Sequence, residues 1–285
     1  MESVASRRPE RAGEAIGRPP LPREHGAWAM LLIPLVVGLA VAGRWGLEGP
    51  LFLGTCLALY VARQPITMLV KGLKEPDSNP GKRPAVWLTV YLILALAFGV
   101  PLLYPYGRWL LLPWAAVFAA FTASHFYLRR QHLDRTPAGE LITIAGLALT
   151  APGAYYVAAG LDAAAIYLWV LSTLYSGASV FFVRMKMKHR ALRRPAASIG
   201  ERLSLGRANI IYLSFLVLVV VLLTVTRQVP ALVPLAFTPL VVKAALGVAR
   251  GGPQVNIKRV GWTEVVHSIS FTILLIAAFV IGPRL

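Results

Sequence analysis

The run NIIYLSFLVLVVVLLTVT, from Asn209 to Thr226, carries no formal charge along its whole length. An apolar helix needs ~20 residues to cross the hydrocarbon core of a bilayer, so this stretch reads as one membrane span. Eight further runs of the same kind lie at 27–43, 50–70, 85–104, 109–128, 138–159, 163–183, 229–249 and 263–282. The whole chain of 285 residues is 57% apolar and only 14% charged, where soluble domains carry about 25% charge. A water-soluble fold is excluded. The expected architecture is an all-α, multi-pass bundle of nine transmembrane helices over residues 23–285. Residues 1–22, rich in Arg, Pro and Gly, are expected to form a disordered basic cytosolic tail. That tail lacks the apolar core and small-residue cleavage site of a signal peptide, so the first span is expected to be retained. The single Cys56, inside an apolar run, excludes a disulfide scaffold, and no Cys/His spacing suits zinc.

Charge sets the orientation. The chain has 29 Lys plus Arg against 12 Asp plus Glu, a formal +17. With nine spans and the N-terminus inside, only Arg44, Arg108, Arg227 and Arg284 fall on the outer side. Every other basic residue falls in the tail or in an inner connection; the last inner connection, between the eighth and ninth spans, includes Lys243. The positive-inside rule therefore predicts a cytosolic N-terminus and an outer C-terminus in a bacterial cytoplasmic (inner) membrane. A basic surface for nucleic acid would need base-reading or stacking groups. None is present, so the expected partner is the bilayer and not nucleic acid.

Some polar groups exceed what topology requires. If the second span ends near Lys71, Arg63 lies ~12 Å deeper, where a cation costs at least ~2.5–3.5 kcal/mol near the bilayer centre. Arg63, Thr67 and Lys71 share a sector of ~80°, with Gln64 at its edge. Pro65 within that stretch is expected to free a backbone carbonyl. The competing reading is snorkelling of Arg63 to the headgroups. At the end of the sixth span Arg184 and Lys188 lie one turn apart, and Gly177, two turns inward, is expected to leave their face open. After the fourth span come His125, Tyr127, Arg129 and Arg130, then Thr136-Pro137, a helix-starting pair. Glu140 follows in the first turn, where an acid suits the dipole; an ion pair to Arg129 or Arg130 is the sharper alternative. His25 opens the first span, and His267 follows Glu264 by three residues in the ninth.

Haem needs facing His pairs deep in the bilayer, and the pattern offers none, so no cofactor is expected. Together the candidate ligand-binding residues are Arg63, Gln64, Thr67, Lys71, Arg129, Arg130, Arg184, Lys188, His25, His125 and His267. They predict one positive mouth on the cytosolic side. Its natural occupant is an anion, such as a phosphate or carboxylate head on an apolar tail.

The run PREHGAWAMLLIPLVVG (Pro22 to Gly38), with RQPITMLVKG (Arg63 to Gly72), resembles the YwiC-like family of uncharacterised bacterial membrane proteins. More distantly the layout resembles the UbiA-type membrane prenyltransferases. That resemblance implies nine helices with the N-terminus inside. It also implies acidic motifs at the ends of helices two and six that hold an isoprenyl diphosphate through magnesium. The corresponding positions here are Arg63, Thr67 and Lys71, then Arg184 and Lys188. Gly81 to Pro84 resembles the Arg-Pro before helix three in that superfamily. Tyr127, Arg129, Arg130 and Pro137 resemble its diphosphate-contacting segment.

The departure is chemical. Magnesium wants hard oxygen ligands, and the carboxylates are replaced by cations and a hydroxyl, so no metal site is expected. Three functions follow. One is a shell that binds an anionic, possibly isoprenoid, lipid without magnesium. The second is a metal-independent prenyltransferase with Glu140, Glu264 or His267 as acceptor base. The third is a small-anion carrier, against which stands the lack of a clear inverted repeat with interrupted half-helices.

Overall fold

The computed structural model describes residues 19–22, 25–74, 83–192, 198–249 and 257–282. All ordered elements among them are helical: α1 (His25–Ala42), α2 (Glu48–Lys74), α3 (Arg83–Leu103), α4 (Leu111–Arg130), α5 (Pro137–Ala148), α6 (Thr150–Ala159), α7 (Ala163–Ala191), α8 (Ile199–Val225), α9 (Val233–Ala249) and α10 (Ile257–Ile281). The all-α, multi-pass bundle is thus the fold of the chain. Seven helical stretches are long and apolar enough to cross a membrane, and Gly26–Ala42 and Val233–Ala249 are shorter apolar helices. The tail over 1–18 lies outside the described residues.

Local chemistry explains the ends. Thr136 accepts the Gly139 N–H at 3.2 Å and Pro137 occupies the first turn of α5. Ser198 accepts the Glu201 N–H at 3.1 Å at the start of α8, half of a Ser-x-x-Glu capping box. Between α5 and α6 the apolar run is interrupted only at Leu149. Pro152 supplies no N–H to the Ala148 carbonyl and its ring crowds that carbonyl, which accounts for the interruption there.

The basic flanks are more helical than the sequence suggests. α7 continues through Arg184, Lys186, Lys188 and Arg190, and α8 already includes Arg202 and Arg207. Lys243, expected in an inner connection, is instead buried within α9. Long amphipathic stems extend the helices past the apolar core.

The chain forms two compact units, one containing Gly54–Phe98 and the other Glu24–Leu53 with Gly99–Leu285. In the first, α2 and α3 approach closely where Gly54 meets the Phe98 ring; a Cβ there would come within 2.7 Å of it. Tyr60, Val61, Ala62, Tyr91 and Ala95 are buried.

The second unit is arranged around α7, which packs on α1, α5, α6, α8 and α9. Its core contains Leu168, Leu171, Leu216, Val233 and Leu275, all fully buried, with the Tyr175 and Phe271 rings stacked at 3.9 Å between centroids. Lipid tails are as apolar as these side chains, so close packing and interhelical hydrogen bonds hold such helices together. Both are present. Gly38 lies against the Ala151 backbone. The Thr150 hydroxyl donates to the Leu31 carbonyl at 2.8 Å, and the Trp169 indole N–H donates to Ala145 at 2.9 Å. Ile211, Phe215, Leu218, Leu222 and Val225 on α8 stay exposed, a face that only lipid would cover without aggregation.

Candidate functional site

In the first unit Arg63, Gln64 and Thr67 are half-buried on α2, which continues helical through Pro65. The Thr67 hydroxyl donates to the Arg63 carbonyl at 2.8 Å. Lys71 belongs to the last turns of α2, and His25 opens α1; the side chains of both lie outside the described residues.

In the second unit the α5 N-terminus meets α7. The Arg184 guanidinium forks onto Glu140: Nε donates to Oε2 and Nη2 lies against Oε1, each at 2.9 Å. Nη2 also donates to the Arg135 carbonyl. Both side chains keep 32% of their surface exposed. Bidentate geometry of this kind is among the stronger charge-assisted arrangements. Arg184 is thus neutralised within the protein, and the partner of Glu140 is Arg184 rather than Arg129 or Arg130. The reason is placement: α4 ends with its two arginines exposed, while α7 passes directly over the first turn of α5.

A second expectation is overturned beside it. Gly177 does not leave a face open; it is buried, and a Cβ there would run into the Tyr212 hydroxyl and come within 2.8 Å of Leu141. The Tyr212 hydroxyl donates to the Leu174 carbonyl at 3.2 Å, and its ring stacks on Phe181 at 4.6 Å. The glycine admits an aromatic side chain from α8.

The histidines are individually engaged. His125 Nδ1 lies 2.9 Å from the Thr143 hydroxyl, which itself donates to the Gly139 carbonyl at 3.0 Å. That hydroxyl has one proton, so Nδ1 is the donor toward it. His267 Nδ1 donates to the Thr263 carbonyl of its own helix at 2.6 Å. No group of three or more His, Cys, Asp or Glu able to hold a metal occurs among the described residues.

Arg129, Arg130, Lys188 and Arg190 are exposed at the ends of α4 and α7. None of the four forms an ion pair among the described residues. The sequence reading missed a different centre. Lys243 Nζ on α9 donates to both carboxylate oxygens of Glu264 on α10, at 2.8 and 2.9 Å. It also lies 4.7 Å from the centroid of the Phe182 ring. Side-chain exposure is only 7% for Lys243 and 18% for Glu264. The signal was there: Lys243 interrupts an otherwise uncharged helix, VPLAFTPLVVKAALGVA. Asn209 and His189 are likewise buried, each with one unpartnered nitrogen, Nδ2 and Nε2 respectively.

Apolar helices exposed on their outer faces, with charge gathered at helix ends and one ion pair sunk between helices, define a multi-pass membrane protein. The sequence model of the YwiC-like protein family matches residues 21–155. "Uncharacterized protein YwiC" of Bacillus subtilis (strain 168) is 29% identical over 185 residues, covering 61% of this chain and 69% of that protein. These matches place the chain in the YwiC-like family. No solved structure matches it.

Proposed function

We propose that this YwiC-like protein binds an anionic lipid, bearing a phosphate or diphosphate head, at the basic end of its helices and without magnesium. The observation that carries the reading is the set Arg129, Arg130, Lys188 and Arg190, exposed where α4 and α7 end and without ion-pair partners among the described residues. Each basic side chain near an anionic membrane surface contributes about 1 kcal/mol of attraction. Arginine forks recognise phosphate oxygens in pairs. Arg184 acts in this scheme as a brace: it fixes α7 on α5 through Glu140, so the flanking cations hold their spacing. The basic end faces the cytosol of a bacterial cell, in keeping with the positive-inside rule and with a bacterial relative.

The test is mass spectrometry of lipids retained by purified protein, wild type against the combined Arg129→Gln, Arg130→Gln, Lys188→Gln and Arg190→Gln variant. Selective retention of a phosphate-bearing lipid in the wild type, lost about tenfold in the variant, supports the reading. An identical, unselective lipid profile in both proteins overturns it.

A further inference from the structure

We propose that the Lys243–Glu264 pair is an exchangeable cation site, at which a monovalent metal ion replaces the lysine's charge on the Glu264 carboxylate as Lys243 gives up a proton. The starting point is depth. Lys243 lies six residues before the end of α9 and Glu264 seven after the start of α10, so both are about 10 Å inside the helix ends. Ionisable residues at such depth are rare, and by default mark ion or proton pathways.

Three features go beyond a structural clasp. The carboxylate is more open than the ammonium, 18% against 7%, so water and ions reach the acid first. A second oxygen pair lies next to it: Ser268, one turn along the same face of α10, accepts or donates at 3.4 Å to the Tyr175 hydroxyl of α7. That long contact leaves both hydroxyls able to turn toward a cation. Finally, Asn209 adds a buried amide whose Nδ2 has no partner. Phe181 stacks on Tyr212, and a Cβ on Gly206 would sit 3.5 Å from Met185 Sδ. Asn209 therefore lies at the level of Phe182, whose ring lies under Lys243.

Other charged groups on the packed helices are committed or peripheral. From α7, Lys186 donates to the Gly247 carbonyl at 3.2 Å and His189 is held by Met185 at 2.9 Å. From α8, Arg202 donates to the Ala249 carbonyl at 2.9 Å and Arg207 is exposed. On α10 itself His267 is bonded to Thr263, and Arg259 is exposed near the start. α1, which also packs on α10, brings no ionisable side chain among those described. Lys243 is accordingly the cation that balances Glu264.

The exchange conserves charge and atoms. A metal cation binds the Glu264 carboxylate, the ammonium of Lys243 becomes a neutral amine, and its proton leaves to water. The site gains one positive charge and loses one. On the other side of the pair the bundle is closed by fully buried Leu168, Leu171, Leu216, Val233 and Leu275, so exchange proceeds from the basic end alone in this conformation.

The experiment adds NaCl, KCl or choline chloride, at equal ionic strength, to purified protein in weakly buffered detergent containing a pH-indicating dye. The wild type is expected to release about one proton per chain, saturably, with Na⁺ or K⁺ and none with choline. Glu264→Gln removes the release, and Lys243→Arg removes it because guanidinium does not deprotonate. Should either variant fail to fold, Glu264→Asp keeps the carboxylate and is expected to retain the release at about tenfold higher salt. No saturable release from the wild type, or full release from Glu264→Gln, overturns the proposal.

Discussion

α7 carries an ion-pair region on each of two opposite faces, and the two are built differently. Residues 182 and 184 lie roughly 200° apart around the helix. On one side Arg184 grips Glu140 at the rim, with both side chains about one-third exposed. On the other the Phe182 ring underlies Lys243, which holds Glu264 almost out of reach of solvent. The same charge chemistry therefore operates in two dielectric settings. At the rim water screens the pair and replaces a lost partner; within the bundle neither compensation is available.

The largest expected effect tests this contrast directly. Lys243→Met leaves Glu264 charged and unpaired between helices, and is expected to cost about 3–5 kcal/mol of stability. Thermal unfolding in detergent micelles reads the loss. Adding Glu264→Met in the same chain is expected to recover most of it, because apolar side chains of similar volume replace a buried pair with little penalty. If the single variant melts like the wild type, the distinction between the two faces is lost.

Next in size is Gly177→Ala. Its Cβ meets the Tyr212 hydroxyl and Leu141, so α8 must shift away from α7, at about 1–3 kcal/mol. The Tyr212→Phe variant is expected to relieve part of this cost, since it removes the colliding oxygen along with its bond to Leu174. An unshifted melting temperature for Gly177→Ala would mean that the α7–α8 packing is looser than its geometry states.

The helices were legible because bilayer thickness imposes a simple rule on sequence: long uncharged runs such as Asn209–Thr226 have few alternatives. The caps at Thr136 and Ser198 were local too, and Thr136-Pro137 was read from sequence. Partner choice was not. Glu140 had three arginines within plausible reach, and only the crossing of α5 and α7 selects Arg184. Gly177 read as an opening because a sequence shows the missing side chain, not the tyrosine from another helix that fills its place. Lys243 was assigned to a flank because it lies near a helix end, although an apolar turn follows it. Its acidic partner is 21 residues further on, beyond any periodic pattern.

Smaller effects belong to the rim. Glu140→Gln keeps hydrogen-bonding capacity at a position that water already reaches, and is expected to cost no more than about 1 kcal/mol, shrinking further in high salt. A loss as large as that of Lys243→Met would show that the rim pair is insulated from solvent after all.

Lys188→Ala is expected to do least to the fold, within about 0.5 kcal/mol by thermal unfolding, because its exposed side chain has no ion-pair partner among the described residues. That makes it the sharpest separator of folding from binding. Co-sedimentation with vesicles of mixed zwitterionic and phosphate-headed lipid would read its binding role without disturbing α7. One lost cation corresponds to about 1 kcal/mol of surface attraction, hence a roughly fivefold weaker association. If binding is unchanged while stability is also unchanged, Lys188 serves orientation only, and the anion is held by Arg129 and Arg130 at the neighbouring helix end.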